Sequence, residues 1–329
     1  MALKICVVGC GGHSALVHGP ACARYARENP DTLLAACCDL QEERAAAYRD
    51  RFGFQRCYTD MDAMLETEQP DAVCVIVPEH LVCRTSLSVI NKGYHILLEK
   101  PPGLCLQDTE QLVQAAEKSG VINQVAFNRR HIPLFRQLRK MVHTSNNSVQ
   151  TMQYSFYRVR RTEPCFETTA IHGIDAARFL MGSDYRQVHF SYMPLPEMGP
   201  GVVNILMDCI FENGAHAHLA FCPCTGIVAE RVSILAGDES FFVNIPIWDG
   251  ADMPGELTRY CAGAQTDRIL GTDVCDSREM YVTNGFYHED KCFFDHVRTG
   301  AMCMDDIRST LQSVALAQAI RQRDTFWGK

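Results

Sequence analysis

The sequence has no C-x-x-C pair, no uninterrupted apolar run long enough to span a bilayer, and no Lys/Arg cluster beyond short pairs. Each absence excludes a class of protein. Lacking the apolar run, the chain has no candidate membrane span. The missing C-x-x-C removes the commonest zinc and dithiol spacings, so no metal is expected; Cys37-Cys38 and Cys222-Pro223-Cys224 are left as minor alternatives. With Lys+Arg at 31, Asp+Glu at 39 and a formal net charge of -8, no nucleic-acid footprint is indicated. Internal repeats and low-complexity tracts are also missing. A strand pattern begins by Lys4, which leaves no room for a cleavable signal, so the expected location is the cytoplasm. The 17 cysteines then read as reduced, mostly buried thiols.

A chain of 329 residues is too long for one ordinary core, and two domains are the natural division. Short apolar, largely β-branched runs at 4–8, 33–38, 72–77, 95–98 and 121–127 have the texture of parallel strands covered on both faces. Helical patterns at 41–52, 60–68, 81–91 and 108–119 separate most of them; Asp108 with Gln111 is spaced as a capping box, and a linking helix is read at 132–142. Beyond residue 148 the texture changes to alternating stretches at 149–160, 187–193, 202–211, 215–221, 231–236 and 241–245, with turn candidates at Asn213-Gly214 and Gly237-Asp238. Residues 248–276 read as an irregular loop, and amphipathic helices near 289–298 and 307–321 close the chain. The expected fold is α/β plus α+β. Residues 1–128 form a doubly wound parallel nucleotide-binding domain, and residues 129–329 an α+β domain on an open, mostly antiparallel sheet.

Chemistry concentrates at the carboxyl ends of the first-domain strands, outside which open α/β sheets collect ligands. After the first strand, Gly9-Cys10-Gly11-Gly12-His13-Ser14 leads into a helix, the context of a dinucleotide fingerprint with Ser14 at the usual third glycine. Asp39 ends the second strand at the separation suited to an adenosine ribose 2′-hydroxyl. That favours NAD over NADP, and no arginine directly follows it. With Glu42 three residues on, Asp39 also fits a helix N-cap, and both roles are open. The strand 95–98 runs into Glu99-Lys100-Pro101-Pro102, which aims a lysine at the crevice or leaves a solvated charge pair. Arg158 and Arg160 read best as a solvated face, His216 and His218 as a sheet-face pair, and His288-Glu289-Asp290 as acids at a helix start.

GCGGHS, Asp39, VIVPEH at 75–80, LLEKPPG at 97–103, VAFNRRHIP at 125–133, IHGID at 171–175 and the closing YHEDKCFFDHVRTG together resemble the Gfo/Idh/MocA family, named for glucose-fructose oxidoreductase, inositol dehydrogenase and rhizopine catabolism. The resemblance implies hydride transfer between NAD(P) and a secondary alcohol of a sugar, polyol or sugar derivative. Lys100 would stabilise the alkoxide and His172 would move the proton, with Asp175, Thr168, Asn128 and Arg129 towards substrate. The cofactor set would be Gly9, Gly11, Gly12, His13, Ser14, Asp39, Val77, Glu79, His80, Glu99 and Lys100. Two positions depart from the family pattern. Thr168 stands where an aspartate is usual, and Glu79 where asparagine is frequent. These departures admit a nicotinamide-binding regulator without turnover, or an NAD-assisted glycosidase or lyase, as alternatives. A homodimer or homotetramer formed through the open sheet is implied by the same resemblance.

Overall fold

The computed structural model describes residues 2–163, 165–301 and 303–328. The chain divides into two compact units, Met1–Phe127 with Phe286–Val314, and Asn128–Gly285 with Ala315–Lys329. The expected boundary assigned 286–314 to the second domain; these residues pack with the first. Tyr25 of the helix Gly19–Glu28 explains why. Its hydroxyl donates to Asp295 (3.0 Å) and accepts from Arg298 Nε (2.8 Å), while Arg298 also spans Asp31 (2.7 and 2.9 Å). An amphipathic pattern says that a helix has a buried face, but not which layer covers it.

The first unit carries β1 (Leu3–Val8), β2 (Thr32–Cys38), β3 (Arg56–Tyr58), β4 (Ala72–Val75), β5 (His95–Leu98) and β6 (Asn123–Val125) in the order β3-β2-β1-β4-β5-β6. All pairings are parallel. Every residue of β4 is buried, as expected for a central strand with helices on both faces. The order reverses direction between β1 and β4, which is the topological switch point where such sheets bind ligands. The helix Leu106–Ser119 is capped at Cys105, so the Asp108–Gln111 capping box does not form. Asp108, inside the first turn, instead accepts the Leu104 N–H at 3.2 Å.

The second unit carries β7 (Thr151–Tyr157), β8 (Tyr185–Pro194), β9 (Val203–Phe211), β10 (His216–Cys222), β11 (Ala229–Ala236), β12 (Glu239–Ile245), β13 (Glu256–Cys261), β14 (Ala264–Leu270) and β15 (Phe326–Gly328). Their order is β14-β13-β12-β11-β7-β10-β9-β8-β15, with β7 and β10 parallel and the other pairs antiparallel. The irregular loop expected at 248–276 is largely the β13–β14 hairpin. Its turn places Ala262 (φ 49°) and Gly263 (φ 84°) in the left-handed region that two-residue hairpins favour. Its strands are polar and half exposed, an edge pattern that hydrophobic alternation under-reports.

One face of this sheet buries Met152, Tyr154, Phe156, Leu219, Phe221, Val232, Ile234, Phe241 and Val243. The helix Glu167–Met181 packs on it through Gly173, where an added Cβ would come within 2.6 Å of the Phe221 ring and 3.1 Å of Phe156. Gly173→Ala is expected to cost about 1–3 kcal/mol by overpacking, read as a lowered denaturant midpoint. An unchanged midpoint would show that the rings yield freely. The opposite sheet face exposes Leu235, Phe242 and Tyr260, the last two ring to ring at 6.0 Å.

Candidate active site

In the first unit, β1 ends in a turn that tolerates no side chain at its first position. Gly9 has φ 98°, and a Cβ there would stand 1.9 Å from the Ile76 carbonyl oxygen beyond β4. At Gly11 and Gly12 a Cβ would meet nothing within 4 Å, so a ligand can approach the backbone. The helical turn that follows leaves its first N–H groups without intrahelical acceptors, an arrangement suited to pyrophosphate. Asp39 braces this turn: one carboxylate oxygen accepts the Cys10 N–H and the other the Gln41 N–H, each at 3.0 Å. The N-cap of Glu42–Phe52 is Gln41, so the capping-box alternative for Asp39 with Glu42 is not what forms. Arg44, five residues on, lies 3.7 Å from Asp39 Oδ1.

Ser14 was expected at the cofactor. It is buried and its hydroxyl donates to the Tyr48 hydroxyl at 2.9 Å, so it fixes the turn against the helix Glu42–Phe52. Val77, Glu79 and His80 surround the carboxyl end of β4, with Glu79 and His80 in the first turn of Glu79–Asn91. Val77 and Glu79 are half-buried and His80 is exposed.

At the end of β5 the Lys100–Pro101 peptide is cis, and Lys100 is partly exposed. Glu99 is not half of a solvated pair. It is buried, with Oε1 accepting from His13 Nε2 (2.9 Å) and His18 Nε2 (3.2 Å), and Oε2 accepting the Lys100 N–H (3.0 Å). Burial alone would raise its pKa, but the two imidazoles hold it well below the usual carboxylate range. His18 enters the interior at the end of the π-helical turn Ser14–His18, and its Nδ1 faces Asp290 at 3.0 and 3.1 Å. His288-Glu289-Asp290 does lie in the first turn of the helix Phe286–Thr299, with Glu289 and Asp290 fully buried.

Among the described residues the Glu289 carboxyl has no hydrogen-bond partner, and burial, then Asp290, push its pKa well up. A group raised in the folded state contributes stability below its unfolded pKa and loses it as pH rises through the folded value. Glu289→Gln should therefore flatten the decline of stability above about pH 4.5 and gain about 1–2 kcal/mol at alkaline pH. Parallel denaturation curves for the two proteins across pH would contradict this.

In the second unit, His172 lies within the helix Glu167–Met181. Thr168, one turn earlier, donates its hydroxyl to the Cys165 carbonyl at 3.0 Å. Asp175, expected near substrate, is buried and accepts Arg130 Nε (2.7 Å) and Nη2 (2.5 Å). Asn128 and Arg129 are also buried. Asn128 donates to the Asn284 carbonyl at 2.8 Å and accepts Arg129 Nη1 at 2.9 Å. Arg129 Nη2 donates to Glu230 at 2.7 Å, the Tyr154 hydroxyl donates to it at 2.6 Å, and Arg158 donates to the same carboxylate. Arg158 is thus interior, correcting the solvated-face expectation; Arg160, beyond the strand end, is exposed. Spacing in sequence could not show that Arg129, Arg158 and Glu230 converge from three separate segments. His216 and His218 do lie on the exposed sheet face, His218 2.7 Å from Asp208.

These features define a nucleotide-binding α/β unit joined to an open-sheet α+β unit. Residues 3–127 match the model of an oxidoreductase family with an NAD-binding Rossmann fold, GFO_IDH_MocA. The match spans all six strands of the first unit and the segment that carries the glycine turn, Asp39 and Lys100. Among curated relatives it is 27% identical over 207 residues to an uncharacterised oxidoreductase, YrbE, of Bacillus subtilis, covering 57% of this chain and 59% of that protein. It is 25% identical over 167 residues to a myo-inositol 2-dehydrogenase of Thermotoga maritima, covering 48% and 50%. The alignments thus span about half the length of these relatives. A dehydrogenase structure from Chromobacterium violaceum superposes with a TM-score of 0.84 over 98% of this chain and 95% of that one, at 22% identity, which establishes the shared fold. Among the described residues, no helix is long and apolar enough to cross a membrane.

Proposed function

We propose that the protein is an NAD(P)-dependent dehydrogenase acting on a secondary alcohol of a sugar, polyol or sugar derivative. The observation that carries this reading is the convergence, in one sheet, of the braced glycine turn after β1, Asp39 after β2 and Lys100 after β5. The nicotinamide, when bound, supplies the hydride acceptor. Gly9, Gly11 and Gly12 admit the pyrophosphate, and Asp39 receives the adenosine ribose hydroxyls. Lys100 Nζ stabilises the developing alkoxide, and His172 takes the hydroxyl proton. Asp39 also repels a 2′-phosphate, which favours NAD, although Arg44 beside it offers a cation of the kind NADP uses.

The exposed sheet face with Leu235, Phe242 and Tyr260 is the surface for a homodimer or homotetramer. A cytoplasmic location, where the cysteines stay reduced, is part of the same proposal. A second reading keeps the nucleotide and loses the turnover. It is favoured by Thr168, whose hydroxyl is spent on the Cys165 carbonyl and supplies no negative charge to raise the basicity of His172. Incubation with NAD or NADP and a panel of polyols, inositols, aldoses and sugar acids separates the two. Reduced nicotinamide should accumulate with at least one class; binding of nucleotide with silence across the panel would favour the regulator.

A further inference from the structure

Behind Lys100 the structure holds a chain of ionisable groups that hydride transfer itself does not use. Asp290, on the helix Phe286–Thr299, faces His18 Nδ1 at 3.0 Å, and His18 Nε2 stands 3.2 Å from Glu99 Oε1. The same oxygen receives His13 Nε2 at 2.9 Å, and the other Glu99 oxygen holds the Lys100 N–H at 3.0 Å. His18 and Asp290 are 0% exposed and Glu99 is 6% exposed, while His13, in the glycine turn, is partly open. We propose that His18 is a positioning residue for Lys100: an imidazolium clamped by Asp290 that orients the Glu99 carboxylate, and through it the backbone from which the lysine projects.

Both ring nitrogens of His18 face carboxylates, which accept and do not donate when ionised, so both nitrogens carry hydrogen. Burial opposes that charge, yet Asp290 and then Glu99 raise the pKa well above the ordinary histidine value. Charged and titratable groups reach this cluster from several elements of the unit, Cys74 of β4 and Asp305 among them. Glu99 comes from the end of β5, His13 from the turn after β1, and Asp290 and Glu289 from the helix Phe286–Thr299. The Phe286 ring stands 5.7 Å from His13 and 6.1 Å from His18. The π-helical turn serves this arrangement, since the extra residue in the turn changes which way His18 faces. The result is one rigid path from the nucleotide-binding turn to the lysine. Its catalytic meaning rests on the dehydrogenase reading above; its geometric content does not.

The test uses His18→Gln and Asp290→Asn in the full chain, both checked for cooperative unfolding. Three properties are measured: turnover on the substrate found by the panel, NAD affinity by calorimetry, and the rate at which a soluble acylating reagent modifies Lys100 relative to exposed-helix-end Lys92. A positioning role predicts that kcat falls roughly 10–100-fold while KM and the NAD Kd stay within about 3-fold. It also predicts that Lys100 labelling changes by more than about 3-fold against Lys92. In proton-detected NMR the His18 ring should keep both N–H signals above neutral pH, and Asp290→Asn should lower the pH at which one is lost. Unchanged kcat and unchanged Lys100 labelling in both variants would overturn the proposal and leave the dehydrogenase standing. A divalent metal copurifying stoichiometrically and lost in His18→Gln would also overturn it, because His13, His18 and Glu99 could then be ligands. If the wild-type protein shows no turnover, the dehydrogenase reading fails, and the labelling comparison alone decides for or against the positioning role.

Discussion

Lys100→Ala should lower kcat by about 10²–10³-fold, the scale set by removing one group that stabilises an oxyanion in the transition state. NAD affinity should change little, because in the proposed reading the glycine turn and Asp39, not the lysine side chain, would hold the nucleotide. Calorimetric titration of NAD into the variant, alongside steady-state rates, separates the two quantities. Equal losses in binding and rate would mean that the lysine acts on the cofactor and not on the substrate oxygen. Lys100→Arg should recover little, since a planar guanidinium cannot reproduce a compact ammonium at one point.

A second large effect is expected within the second unit. Glu230 is fully buried beneath Arg129, Arg158 and Tyr154, and the Phe156 ring lies 3.7 Å from the Arg158 guanidinium. Burial would raise the Glu230 pKa, but Arg129 and then Arg158 lower it to about 2. Glu230→Gln leaves two buried guanidiniums without a counter-charge and should destabilise the protein by about 3–5 kcal/mol at neutral pH. For a depressed carboxylate the stabilisation is present above the unfolded pKa and fades as pH falls through the folded one. The deficit of the variant should therefore shrink between about pH 4.5 and about 2. Denaturant titrations of both proteins across that window supply the check. A loss under 1 kcal/mol at neutral pH would show that the arginines find other partners.

Much of the first unit was legible because its signals are local. A strand of buried β-branched residues, a glycine turn and an acidic strand end are each written in a few consecutive positions, and β1, β2, β4 and β5 lie where the apolar runs place them. The β13–β14 hairpin was not legible. An edge strand with a polar, half-exposed sequence such as Ala264–Leu270 buries too little to imprint an alternating pattern. The site shows the same contrast. Lys100 at the end of β5 followed from the Glu-Lys-Pro sequence, whereas the inward turn of Glu99 depends on His13 and His18, some eighty residues away. Asn128, Arg129 and Asp175 were placed towards substrate by the family resemblance. The structure spends them on buried partners that sequence proximity cannot reveal.

The central claim is hydride transfer from a carbon bearing a hydroxyl group, and isotope transfer tests it most directly. The protein would be incubated with NAD and polyols, inositols and aldoses deuterated at their carbinol carbons, and the nicotinamide then analysed by mass spectrometry. Deuterium on the reduced ring, lost when Lys100 is replaced by alanine, is the predicted result. A bound nicotinamide that stays oxidised and unlabelled across every substrate would contradict the account and identify a nucleotide-binding protein without dehydrogenase turnover.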